Sequence, residues 1–188
     1  MLRRLVARPI VVVAVLLGAF FVLQSLIPLR TAVQIGADEG FELAKATLCL
    51  KGYKLYSEVW NDQPPLHTFL ITQVLKYLTP SVLGPRLVSV GFATLLLASV
   101  FAMALHSGVG VSPARVDGES ISRWRQAGRA VPLQQAGSAL ALWTAALSTV
   151  LLMAAPGFLE LSSSSMMEIP ALAPAVARLC VLLVGCQN

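Results

Sequence analysis

Residues 10–29 read IVVVAVLLGAFFVLQSLIPL, an apolar block without a single charge. In a helix rising about 1.5 Å per residue, such a block is about 30 Å long, the hydrocarbon thickness of a bilayer. Further blocks run over 87–105 (LVSVGFATLLLASVFAMAL), 138–155 and 169–185, and Arg178 is the one charge among them. The blocks are continuous rather than alternating, so helices, which satisfy their own backbone in lipid, are expected rather than a barrel. Composition agrees: the 188 residues are 56% hydrophobic and 12% charged, where soluble domains have about a quarter charged residues. Mean hydropathy is +0.75. The expected fold is an all-α integral membrane protein with about four transmembrane helices.

Charge then sets orientation. Arg3, Arg4 and Arg8 precede the first block and place the amino terminus in the cytoplasm. That block is longer than the apolar region of a signal peptide, about 7–15 residues, and no small-x-small site clearly follows Leu29, so it reads as an uncleaved span. The stretch from Leu66 to Leu78, LHTFLITQVLKYL, is too short to cross and contains Gln73 and Lys76. It is expected to lie at the interface or re-enter, with Leu66, Phe69, Leu70, Val74 and Leu78 on one apolar side. Residues 30–85 then form one external loop and 106–137 a cytoplasmic one. The cytoplasmic loop carries Arg115, Arg123, Arg125 and Arg129 against Asp117 and Glu119, in accord with the positive-inside rule. Arg178 snorkels, faces a polar cavity, or marks a helix shielded from lipid.

The net charge of +5 comes from arginines that flank spans, and no interleaving of aromatic and basic residues points to nucleic acid. Cys49, Cys180 and Cys186 lack CxxC spacing and read as small apolar packing residues.

The external loop is where chemistry is concentrated. Residues 37–67, ADEGFELAKATLCLKGYKLYSEVWNDQPPLH, hold Asp38, Glu39, Glu42, Glu58 and Asp62. Phe41, Ala44 and Leu48 recur at helical spacing, predicting an amphipathic helix over 41–51 that stops at Gly52. Asp38 and Glu39 would sit just before its amino end, where exposed N–H groups and the helix dipole favour a carboxylate. Taken alone, Asp38 is equally well an N-cap, Pro64-Pro65 a rigid first turn, and Tyr53, Tyr56 and Trp60 an interfacial aromatic belt.

The ordered set of a first span, Asp38-Glu39, a helix, Gly52-Tyr53-x-Leu55-Tyr56, Asp62-Gln63-Pro64-Pro65-Leu66, and Gly84-Pro85-Arg86-Leu87 opening a span resembles the amino-terminal part of GT-C membrane glycosyltransferases. The likeness is to the family 39 and protein-mannosyltransferase type, including the bacterial branch related to lipid A aminoarabinose and galacturonic acid transferases. It runs from about residue 10 to 185. It implies short juxtamembrane helices in the external loop, and a sugar donor on polyprenyl phosphate. Transfer would occur on the outer face of a bacterial inner membrane, with inversion, to an acceptor on lipid, glycan or protein.

Such transfer needs a carboxylate beside the acceptor hydroxyl. By resemblance Asp38 takes that position, followed by Glu39, and Glu168 stands where relatives bring a second acid, although serines occupy the place of an arginine found in many of them. The leaving phosphate calls for cations or donors: Arg86 first, then Lys54 and His67, with Tyr56 beside them. A divalent metal at Asp38 and Glu168 is left open, because related enzymes differ on this point. The chain is shorter than family members, so it is expected to be an amino-terminal portion, inactive alone. The competing expectation is a non-catalytic membrane subunit whose loop binds a partner.

Overall fold

A computed structural model describes residues 2–30, 37–78, 81–109, 131–164 and 168–185. Its regular elements are all helices: α1 (Leu2–Ser25), α2 (Ala37–Leu50), α3 (Pro65–Tyr77), α4 (Leu83–Val109), α5 (Val131–Met153), α6 (Phe158–Ser163) and α7 (Glu168–Gly185). Two stretches are long and apolar enough to cross a membrane, Arg8–Ser25 of α1 and Leu83–Ser107 of α4, and α5 adds a shorter apolar run, Ala139–Met153. The expected cytoplasmic loop 106–137 falls largely outside the described residues, as do Cys186 and 165–167 of the serine-rich stretch. At the edges of that loop, α4 continues to Val109 and α5 already begins at Val131. Proline stands early in α3 and α4, at Pro65 and Pro85, where a missing N–H breaks no helical bond.

Helix α4 is the hub, packing against α5, α7 and α6, with α1 lying against α5 and α4. The core between them contains Phe20, Leu96, Leu97, Phe158, Ile169 and Ala173. Phe20 and Phe158 meet as a tilted pair with ring centroids 6.1 Å apart, a favourable aromatic geometry. Gln24 donates from Nε2 to Ser162 Oγ at 2.6 Å, tying the end of α1 to α6.

On α5 the buried stripe is small, Ala141, Ala145 and Thr149, while Leu140, Trp143, Leu147 and Leu151 point outward. Small residues inside let backbones approach closely, and large apolar residues outside are the reverse of a water-facing helix. Among the cysteines, Cys180 is buried and Cys49 half-buried, and neither is in a disulfide. Arg178 is exposed on α7.

The loop helices show the same inversion. On α2 the buried side chains are Glu39, Glu42, Lys45 and Ala46, whereas Phe41 and Leu48 face out. On α3, His67, Thr68, Ile71 and Leu75 are buried while Leu66 and Phe69 are exposed. The two helices face each other through polar groups, with a small apolar contact of Ala46, Ile71 and Leu75. Helix α2 also starts four residues earlier than periodicity suggested, which places Asp38 and Glu39 inside its first turn. Acidic side chains there complement the positive end of the helix dipole.

α3 rests on the start of α4 at Gly84, where a Cβ would come within 2.9 Å of Val74 Cγ1 and 3.4 Å of Leu78 Cδ1. Valine is stiff at χ1 and yields little. Gly84→Ala is therefore expected to destabilise by about 1–3 kcal/mol, the usual cost of overpacking. Hydrogen exchange should show the loss concentrated in α3; unchanged protection there would mean the contact does not hold the helix down.

Candidate functional site

The site is assembled from α2, the segment after it and the first turns of α3 and α7. α2 ends in a Schellman motif: Tyr53 N donates to Leu48 O at 3.2 Å and Gly52 N to Cys49 O at 3.0 Å, with Gly52 at φ +100. A left-handed residue is needed there, and glycine takes it without strain. The chain then forms a tight loop. Leu55 and Val59 make an isolated bridge, Glu58 accepts from Lys54 N at 2.7 Å, and Tyr56, itself at φ 72, donates its hydroxyl to Gln63 O at 2.6 Å. Tyr56 is thus engaged in closing the loop. Lys54 is exposed on the same loop, and neither residue lines the cavities described next.

Asp38 and Glu168 line one pocket of about 350 Å³. Its wall also includes Glu42, Lys45, Asp62 and Gln63, with the aromatic faces of Phe41 and Trp60. Two acids far apart in sequence therefore reach one cavity, because the first turns of α2 and α7 open onto it. Among the described residues, no three His, Cys, Asp or Glu side chains are grouped to hold a metal ion.

Beneath the pocket lies a buried network. Lys45 Nζ is 2.5 Å from Glu42 Oε1 and donates to Asn61 Oδ1 at 3.0 Å. The other oxygen of Glu42 is 3.4 Å from His67 Nδ1 and 3.5 Å from Thr68 Oγ1. Burial pushes the Glu42 carboxyl up, but hydrogen bonds from His67 and Lys45, with the charge of Lys45, outweigh it and hold the group below the ordinary glutamate value. Glu42 is accordingly a fixed negative charge that orients Lys45 on one side and His67 on the other.

Glu39 and Arg86 are placed differently from the sequence reading. Arg86 donates from Nε to Glu39 Oε1 and from Nη2 to Glu39 Oε2, both at 2.9 Å, and from Nη1 to Leu29 O at 2.6 Å. Both side chains are buried. This is a bidentate pair, the strongest form of carboxylate–guanidinium contact. As placed, Glu39 turns away from Asp38's pocket, and the guanidinium expected to meet a phosphate is already neutralised. The pair instead fastens the first turn of α2 to the start of α4 and the chain leaving α1, fixing Asp38 one residue before it.

An apolar groove of about 220 Å³ adjoins the polar pocket. Pro64, Leu66, His67 and Leu70 form one side, and Phe92, Pro170, Ala171 and Pro174 the other. The two cavities are lined by residues that neighbour one another in the chain or touch. Gln63 lines the pocket and Pro64 the groove, Glu168 the pocket and Pro170 the groove, and Glu42 in the pocket touches His67 in the groove.

Sequence reasoning brought Asp38, Glu168 and His67 to this region but passed over Glu42, Lys45, Asn61 and Trp60. The i,i+3 spacing of Glu42 and Lys45 was a signal for a helical ion pair. The apolar spacing identified an amphipathic helix but not which of its sides meets the rest of the chain. Comparison of the chain with protein-family models, with curated proteins and with solved structures finds no match.

Proposed function

We propose that this chain forms the donor end of a membrane-embedded glycosyltransferase that uses a polyprenyl-phosphate sugar. The observation that carries the reading is that a carboxylate-lined pocket and an apolar groove lie next to each other, with linings adjacent at Gln63 and Pro64. A ligand filling both has a hydroxyl-rich head and a hydrocarbon chain. Carboxylates accept hydrogen bonds from sugar hydroxyls, and aromatic faces such as Trp60 and Phe41 suit the apolar face of a sugar ring. The outward-facing large apolar residues of α5, and an α1 stretch of which only 11% is buried against protein, support placement in lipid. On this reading α5 and α7 also span, making four spans with the pocket on the external side.

In the proposed reaction, an acceptor hydroxyl oxygen attacks the anomeric carbon as Asp38 takes its proton. The bond from that carbon to the phosphate oxygen breaks, and polyprenyl phosphate leaves with the electron pair. Glu168, across the pocket, holds sugar or acceptor hydroxyls in line; positioning of this kind supplies much of the rate. The test is a transfer assay in native membranes, so that any accompanying segment or partner is present, using radiolabelled polyprenyl-phosphate sugars. Label should pass to an acceptor in membranes containing the chain. Equal transfer in membranes from a strain deleted for it would overturn the proposal.

A further inference from the structure

The polar pocket contains a cation whose hydrogen-bonding capacity is not filled by protein. An ammonium group has three donors. Lys45 Nζ meets Glu42 at 2.5 Å and Asn61 at 3.0 Å, while Asp62 Oδ1 is 3.9 Å away, outside hydrogen-bond range. Lys45 is buried, so its stem is fixed between α2 and the loop, yet it lines the pocket. It is the basic residue among the described pocket-lining side chains. The Asp62 side chain is 56% exposed and has room to move aside for another acceptor.

Position argues in the same direction. Glu42, which grips Lys45, also contacts His67, and His67 lines the apolar groove. Lys45 is therefore one side chain, Glu42, removed from the groove lining. In a lipid-linked sugar, the phosphate is the group between the head and the chain. When the head occupies the pocket and the chain the groove, the phosphate falls between the two, on the side of the pocket where Lys45 and Glu42 stand. Arg86 does not compete for it, being held by Glu39 and Leu29 O.

We infer that Lys45, oriented by Glu42 and Asn61, is the residue that hydrogen-bonds the phosphate of the lipid-linked donor. The inference rests on the glycosyltransferase reading and replaces Arg86 with Lys45 as the phosphate's partner.

The experiment uses the full chain in nanodiscs and measures binding of polyprenyl phosphate, of polyprenol lacking the phosphate, and of inorganic phosphate. Wild type should bind polyprenyl phosphate more tightly than polyprenol. Lys45→Met should weaken polyprenyl phosphate about ten- to a hundredfold, the scale of one hydrogen bond to a charged group, and leave polyprenol binding unchanged. Lys45→Arg should recover most of the loss. Unaltered polyprenol binding also serves as the check that the variant is folded. Where Lys45→Met fails that check, Asn61→Leu takes its place, keeping the ammonium but freeing it, with a smaller loss in the same direction.

Equal binding of polyprenyl phosphate by wild type and Lys45→Met overturns the inference and leaves the glycosyltransferase reading standing. Lys45-dependent binding of inorganic phosphate as tight as that of the lipid also overturns it, by identifying a free anion as the ligand. Absence of any polyprenyl phosphate binding by wild type removes the underlying reading, and the inference with it.

Discussion

Arg86→Met is expected to be the most destabilising single substitution around α2 and α3, costing about 3–5 kcal/mol. Both partners of the Glu39–Arg86 pair are buried, at 7% and 4% side-chain exposure, so removing the guanidinium strands a carboxylate away from water. Breaking a buried pair in this way costs far more than the pair's net contribution, because the remaining buried charge loses its bidentate partner. Glu39→Met should be similarly harmful. The double variant Glu39→Met, Arg86→Met should recover most of the loss, since two apolar side chains of similar length leave no charge unpaired. Denaturant unfolding of the four proteins in nanodiscs gives the cycle. A single-variant cost below about 1 kcal/mol, with no coupling between the sites, would show that the clamp does not hold α2 to α4.

The second large effect is on chemistry rather than stability. Asp38→Asn should reduce sugar transfer by about 10²–10⁴-fold, the range for loss of a general base. Asparagine keeps the size and much of the hydrogen bonding of the side chain but accepts a proton poorly. Asp38 is exposed, so unfolding should be nearly unchanged. Transfer is read in native membranes carrying the variant at matched abundance. Full activity of Asp38→Asn would remove it from the reaction, and Glu168, on the same pocket, would become the acid to test next. The two substitutions separate cleanly: Arg86→Met acts on folding, Asp38→Asn on turnover.

The apolar blocks of α1 and α4 were legible in the sequence because an uninterrupted apolar run of bilayer length is a continuous local pattern that a helix of the same length reproduces. Gly52 announced the end of α2, and Pro65 the start of α3, by equally local signals. The start of α2 was missed: its apolar spacing begins at Phe41, whereas the helix begins at Ala37 with acidic residues that belong there for electrostatic reasons. At the site, Asp38 and Glu168 were legible as acids in the first turns of helices, and both line one pocket. Glu39 and Arg86 were not separable by sequence from a catalytic acid and a phosphate cation, since they stand 47 positions apart and no local pattern couples them. The Glu42–Lys45–His67 network was hidden by a different cause. On α2 the side that faces protein is the polar one, and periodicity finds the stripe without saying which side faces inward.

That reversal has a bearing on modularity. A layer whose large apolar side chains look outward, and whose own apolar contact amounts to Ala46, Ile71 and Leu75 with Leu43 beside them, has too little interior to be an independent folding unit. Residues 37–78, excised and placed in water, should collapse or aggregate through Phe41, Leu66 and Phe69 rather than keep the polar pocket. The pocket depends in this sense on α4, which Arg86 ties to α2, and on α7, which contributes Glu168. It can be transplanted to another protein only together with the surface on which it rests.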